Sequence, residues 1–245
     1  MPKEPLIEFV EVKKSFGNNE VLRGVNLTVY QGQTLAVIGS SGCGKSVLMS
    51  LLVGLIPVDS GRITIKGQEV TQFTSVEQWN AVRFKIGFLF QDSALYDSMN
   101  AGENIAFPLR YHTELSEDEI KQKVREKLKM VNLEGVEEKM PGEISGGMQK
   151  RVALARAIIL DPEIIIYDEP TTGLDPVTAE AISELILILK QRLSVTSLVV
   201  THDMACVYKV ADQVAMLYGG KIIAEGTPQQ IRESKDLRVM RFVSL

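Results

Sequence analysis

Gly39-Ser40-Ser41-Gly42-Cys43-Gly44-Lys45-Ser46 has the spacing G-x-x-x-x-G-K-S, which is chemistry for a polyphosphate. Glycines let successive backbone N–H groups wrap an anion at the start of a helix, where the macrodipole also favours negative charge. Lys45 is expected to bridge β- and γ-phosphates, and Ser46 to hold a magnesium ion through its hydroxyl. The competing explanation is a glycine-rich turn that matches by chance. The flanks argue against it, because a buried strand precedes the motif and an apolar-periodic helix follows. Cys43 reads as a small filler of this loop, with a redox role as the alternative, since a thiol at a helix N-terminus tends toward a lowered pKa.

Ile164-Ile165-Ile166-Tyr167-Asp168-Glu169 is an apolar strand that ends in two carboxylates. At the C-terminal end of a strand in an open α/β sheet, charges face the ligand crevice, the same edge that a P-loop leaves from. Asp168 is expected to share the metal shell with Ser46, and Glu169 to orient or deprotonate a water attacking the γ-phosphorus. Two solvated loop acids are the other reading, which the apolar run in front of them disfavours. Ile144-Ser145-Gly146-Gly147-Met148-Gln149-Lys150-Arg151 begins another helix. A serine and two bare glycines at a helix N-terminus make a second anion site, so the chain carries one P-loop but two phosphate cradles.

These residues need a scaffold that delivers them. Ile7 to Val12 and Val25 to Tyr30 are β-branched runs punctuated by Gly17-Asn18-Asn19, Gly24 and Gly32, so the chain is expected to open with antiparallel strands and tight turns. Thr34 to Ile38 reads as a buried strand, and Val47, Leu48, Leu51 and Leu52 recur at helical spacing over Lys45 to Leu55. Ser116 to Val131 is a charged helix with one packing face, Ile120, Val124 and Leu128, the mark of a helical subdomain. A helix from Ser145 to Leu160 is closed by Asp161-Pro162. Glu163 to Tyr167 (strand), Pro176 to Arg192 (helix), Val195 to Val200 (strand) and Met204 to Val210 (helix) then alternate, implying right-handed crossovers and a parallel sheet. The expected core is doubly wound α/β, without internal repeats, low-complexity tracts or a flexible linker.

Composition narrows the classes. At 245 residues, 45% hydrophobic and 24% charged, the chain is neither a long disordered segment nor a disulfide scaffold. Its 31 acidic and 27 basic residues give a net charge of −4, a field that repels nucleic acid and anionic lipid, so membrane association is expected through specific docking. The richest apolar stretches, Ile164 to Tyr167 and Leu198 to Val200, fall far short of the roughly 20 residues that cross a bilayer. Met1-Pro2-Lys3-Glu4-Pro5 lacks the apolar segment of a secretory signal, and Cys43 and Cys206 are the only cysteines, which points to a cytosolic, reducing compartment.

The motifs and their order resemble the ATP-binding cassette (ABC) family, whose signature Leu-Ser-Gly-Gly-Gln is matched with Ile144 and Met148 in place of its first and last residues. The likeness covers nearly the whole chain. It implies a P-loop NTPase core with a mostly parallel sheet, an N-terminal antiparallel β-subdomain and an inserted α-helical subdomain. Residues 1–245 would be one ABC ATPase domain, with 1–90 and 160–245 as catalytic core and 91–159 as the helical signature subdomain. ATP and Mg2+ are implied: Phe16 at the position that stacks on adenine, Gln91 at the glutamine loop beside the metal and γ-phosphate, Gly173-Leu174-Asp175 at the D-loop, and His202 as the switch that hydrogen-bonds the γ-phosphate. The residues themselves leave other roles open. Phe16 could be a core aromatic of the opening sheet, His202 a satisfied strand-end histidine, and Asp175 simply the cap of the helix opened by Pro176. His112 reads as structural and Cys206 as core.

The resemblance also implies a homodimer in which the signature Ser145, Gly146 and Gly147 close over the nucleotide held by the partner's P-loop, an isologous arrangement around two ATP. Met148 departs from the family, because a thioether is at best a weak hydrogen-bond acceptor and the contact of the usual glutamine with the ribose edge is lost. That substitution, with Phe90 to Tyr96, Pro108-Leu109-Arg110 and Met140 to Glu143, looks most like ATPases of the maintenance-of-lipid-asymmetry type. Those serve an integral-membrane permease and a lipid-binding protein with a mammalian-cell-entry domain, and sit on the cytoplasmic side of the inner membrane through the permease. The alternative is an ATPase of the same architecture for an amino-acid, metal-ion or drug permease. A DNA-repair cassette would insert a long coiled coil between P-loop and signature, but only roughly a hundred residues without sustained heptads lie there. A translation-factor cassette would carry two P-loops, and a GTPase an Asn-Lys-x-Asp motif; neither is present. Leu95, Tyr96 and Met99 cluster in the otherwise polar loop from Gln91 to Met99, either as packing or as the docking patch for a coupling helix of the permease.

Overall fold

The computed structural model describes residues 4–244, so Met1, Pro2 and Lys3 of the N-terminal segment discussed above lie outside the described residues. In chain order the elements are β1 (Pro5–Phe16), β2 (Asn19–Tyr30), β3 (Thr34–Ile38), α1 (Lys45–Leu52), β4 (Ser60–Ile65), β5 (Gln68–Glu69), α2 (Val76–Arg83), β6 (Ile86–Leu89), α3 (Ala101–His112), α4 (Glu117–Met130), α5 (Gly146–Ala157), β7 (Ile164–Asp168), α6 (Pro176–Leu193), β8 (Thr196–Thr201), α7 (Met204–Val210), β9 (Gln213–Tyr218), β10 (Lys221–Gly226), α8 (Pro228–Arg232) and α9 (Leu237–Val243). They form two compact units, one made of residues up to Arg83 together with those from Thr196 on, the other of Phe84–Val195.

The first unit holds the expected antiparallel sheet, in the order β2-β1-β4-β5. Ile7, Phe9 and Val12 pair with Val29, Leu27 and Val25, and all six are buried, which is why the register of this long ribbon is fixed. Glu11 interrupts it with φ +50 at a register shift. The same unit contains β3 between β8 and β9, all parallel, with β10 added antiparallel to β9. Every residue of β3 and β8 is buried, as expected of parallel strands written as continuous apolar runs. Helices α7, α8 and α9 close this core by packing Val207, Ile231 and Val239 with Ala36, Ile38, Val214 and Met216. The β9–β10 turn is made by Gly219-Gly220, both with positive φ, a hairpin signal that the sequence reading passed over.

In the second unit β6 and β7 pair in parallel, Ile86 to Leu89 against Ile164 to Tyr167. Ile120, Val124 and Leu128 of α4 are buried as their spacing predicts, and Ser116 and Glu119 form a capping box at its start. Asp175 caps α6, with Pro176 in its first turn. Two helices are shorter than their patterns suggest. The run expected to reach Leu55 stops at Leu52, because Gly54 takes φ +68 against the Trp79 indole, where a Cβ would collide with the ring. The run expected to reach Leu160 stops at Ala157, and Asp161, at φ +51, accepts from Lys127 in the turn that follows.

Candidate functional site

In the first unit, the loop from Gly39 to Ser46 leaves β3 and enters α1. Gly39 is required by close approach: a Cβ there would lie 2.7 Å from Cys43 Sγ and collide with the Leu217 carbonyl. Gly44 sits at φ +109, and a Cβ on it would meet Leu22 Cδ2 at 2.9 Å, so the loop rests directly on β2. Ser40, Ser41, Gly42 and Ser46 are exposed, whereas Lys45 is 7% exposed, its Nζ donating to the Gly39 carbonyl at 2.7 Å and the Ser40 carbonyl at 3.3 Å. Helix α1 has no side-chain cap and no acid in its first turn. A helix start with neither a side-chain cap nor an acid of its own suits an anion, which is the condition a phosphate cradle must meet.

Two further expected site residues belong to this unit. Ile38 pairs with Thr201 across the parallel β3–β8 ladder, so Gly39 and the exposed His202 leave adjacent strands at one edge. Asp203 caps α7 by accepting from the Ala205 and Cys206 N–H groups. Phe16, at the end of β1, is 50% exposed, which rules out the core-aromatic reading. Its ring lies 5.4 Å from Lys14 Nζ, itself held by Asp59 at 2.7 Å. The Lys14 ammonium and the Ser15 N–H keep the Asp59 carboxyl below its ordinary pKa.

The second unit carries the other residues. Strand β7 is buried through Tyr167 and ends on Asp168; Glu169 follows at φ +47, a left-handed conformation sparsely populated outside glycine and costly unless its surroundings hold it. Glu169 is 8% exposed, and its Oε2 accepts from the Thr172 hydroxyl at 3.1 Å. Ser145 is the N-cap of α5, its Oγ accepting from Met148 N at 3.3 Å, and Ser145 and Gly146 are exposed. Gly147 is sterically required, since a Cβ would meet Thr178 of α6. Asp175 accepts from the Val177 and Thr178 N–H groups, both at 3.1 Å, so the capping role is real. Cys43 is half-buried and Cys206 buried, and His112 ends α3 edge-on to Phe84 and Tyr111.

Sequence reasoning missed Lys150. It stands in the stretch from Ile144 to Arg151 with no role assigned to it by the motif, yet it is 4% exposed. Its Nζ donates to the carbonyl of Gln91, and at 3.4 Å to that of Phe90. Burial pushes its pKa down, opposed by the negative charges of Asp92, Asp168 and Glu169, so this ammonium stands in the field of both strand-end carboxylates. Beside the Gln91 loop lies a groove of about 450 Å³ lined by Ser98, Met99, Glu103, Phe107, Arg110 and Tyr111. No helix among the described residues is long and apolar enough to cross a membrane.

Comparison with known proteins matches residues 22–172 to a family described as "ABC transporter". The "Intermembrane phospholipid transport system ATP-binding protein MlaF" of Haemophilus influenzae is 42% identical over 97% of this chain and 90% of its own length. The "Probable ribonucleotide transport ATP-binding protein mkl" of Mycobacterium leprae is 42% identical over 98% of this chain, which spans 69% of that longer protein. Among solved structures, a dimeric ATP-binding cassette in a post-hydrolysis state with ADP and Pi superimposes with a TM-score of 0.83 at 31% identity, over 91% of this chain and 99% of that one.

Proposed function

The chain belongs to the ABC transporter family and is an ATP-hydrolysing cassette, and from that premise we propose that it drives a separate permease moving phospholipid or another lipophile between membranes. The observation that carries the cargo reading is its likeness to MlaF, a phospholipid-transport ATPase matched over nearly its entire length. The mycobacterial likeness favours a second reading, a ribonucleotide as cargo, but it leaves about a third of that protein unmatched.

In the proposed cycle two copies face each other, each P-loop covered by the partner's Ser145, Gly146 and Gly147. Phe16 offers its exposed ring to adenine, and backbone N–H groups from Gly39 to Ser46 take the phosphates, with Lys45 on the β- and γ-oxygens. Mg2+ would be held by Ser46, Gln91 and Asp168, since this ion keeps several waters and phosphate oxygens and asks for few protein ligands. Among the described residues no cluster of three or more His, Cys, Asp and Glu exists that would instead cage a metal. When bound, the ion neutralises charge on the transferred phosphoryl group. Glu169 orients or deprotonates the attacking water, His202 hydrogen-bonds the γ-phosphate, and Asp175, at the D-loop position, joins the nucleotide-binding set besides capping α6. Residues 91–159 move as the helical signature subdomain against 1–90 and 160–245. The permease holds the ATPase pair at the cytoplasmic face of the inner membrane, and the further partner is a mammalian-cell-entry domain lipid-binding protein. Nucleic acid is not a partner, given the net charge of −4.

The test is to purify the chain with its native membrane partners and reconstitute the complex between donor and acceptor vesicles. ATP-dependent transfer of labelled phospholipid is expected. ATP-dependent movement of a ribonucleotide, amino acid or metal ion with no lipid transfer would refute the cargo reading and leave the ATPase assignment intact.

A further inference from the structure

The loop from Phe90 to Asn100 has no helix or strand of its own, yet it is fastened along its length. Besides the Lys150 contacts to Phe90 and Gln91, Arg156 donates to the Ser93 carbonyl at 2.6 Å and to the Ala94 carbonyl at 2.7 Å. Farther along, the fully buried Asn104 donates to the carbonyls of Tyr96, Met99 and Asn100 and accepts from Tyr96 N at 2.8 Å. Ser93 and Ala94 are held at φ +63 and +45, a left-handed pair that two non-glycine residues keep only when neighbouring groups over-determine it.

Two of these three anchors, Lys150 and Arg156, belong to α5, whose N-cap is the signature serine. Taking an ammonium out of water is costly unless its charge and its hydrogens are met. Here the carbonyls of Phe90 and Gln91 accept its hydrogens and three carboxylates face its charge. We propose that Lys150 and Arg156 are positioning residues that clamp the Gln91 loop onto α5, so that Gln91 and Ser145 are carried as one body through the ATP cycle. The inference rests on reading Gln91 as the γ-phosphate sensor. Charge-assisted bonds to carbonyls are about twice as strong as neutral ones, and one of them is made to Gln91's own peptide oxygen, so a displacement of the sensor pulls directly on the signature helix.

The test uses the full chain assembled with its permease. Lys150→Met removes the donor and keeps an apolar stem; Lys150→Arg keeps the donor. For Lys150→Met, kcat per bound nucleotide should fall roughly tenfold with KM for ATP changed less than about twofold. Amide exchange over residues 91–95 should speed by at least about tenfold, while the buried turn of α5 exchanges as in the parent. Lys150→Arg should restore most of both. Arg156→Met is expected to give the same pattern, and it keeps the test decisive if Lys150→Met does not fold. Parental kcat and parental exchange over 91–95 would overturn the clamp. So would faster exchange throughout Phe84–Val195 without rescue by Lys150→Arg, the signature of a purely structural lysine. The exchange result judges the clamp by itself, whereas parental kcat in Gln91→Ala would remove only the sensor reading.

Discussion

Glu169 combines a strained backbone with near-complete burial, and its carboxylate accepts from the Thr172 hydroxyl, so its surroundings hold it in a conformation that is costly by itself. If it acts on the attacking water, Glu169→Gln should leave ATP affinity within a few-fold of the parent and cut turnover by on the order of a hundredfold or more. ATP titration and steady-state hydrolysis by the reconstituted complex check both halves; parental turnover would place the base elsewhere. At this scale the sequence was informative where residue type and spacing are dictated by backbone chemistry. The glycines of 39–44, the strand-end acids and Ser145 can be recognised because few other residues could occupy those positions. Lys150 could not, because a lysine's burial depends on which carbonyls the fold brings to it, and nothing within α5 announces Phe90 and Gln91.

Elements with one strong periodicity or one strong cap were legible: β3, α4, α6 and α7 start and stop within about a residue of their patterns. Those that depend on tertiary support were not. Helix α3 runs through Pro108, which removes an interior N–H, and it survives on a capping box at Asn100 and Glu103 and on the burial of Ile105, Ala106 and Leu109. The short β6 has only four residues and makes sense beside β7, and α8 and α9 are amphipathic fragments that need Val214 and Met216 beneath them. Caps also carry a pH signature. The Thr178 hydroxyl, with the Thr178 and Val177 N–H groups, holds the Asp175 carboxyl below its ordinary pKa. The stabilisation this gives α6 is fully present above the usual carboxylate range and is lost as pH falls through the lowered folded-state value. Asp175→Asn, an equally good cap, should therefore match the parent near neutrality and lose less stability than the parent on acidification, as read by urea unfolding across a pH series. A parallel acid decline in both proteins would show that this carboxylate does not contribute to it.

For the whole molecule the account requires two things of its surfaces, a permease on one and a second copy on another. Tyr96 is 46% exposed, and Leu95 and Met99 are half-buried next to the groove at Met99, Phe107 and Tyr111. Charged residues are depleted in interface cores, so Leu95→Glu or Tyr96→Glu should leave a folded chain that binds ATP but fails to co-purify with the permease. Normal assembly would move the docking site elsewhere, and an unfolded variant would assign these side chains to internal packing. The central claim, that each ATP is shared between the P-loop of one chain and the signature of the other, has a more direct test in mixed dimers. Lys45→Ala should weaken nucleotide binding at a chain's own P-loop, and Ser145→Arg should block the surface proposed to cover the partner's nucleotide. Each alone should abolish ATP-driven closure. Mixed, the two chains place both lesions on one shared site and leave the other intact. Sedimentation with ATP should then show closed dimers in the mixture and in neither protein alone. Verified mixed dimers that show no recovery of closure would contradict the shared-site account.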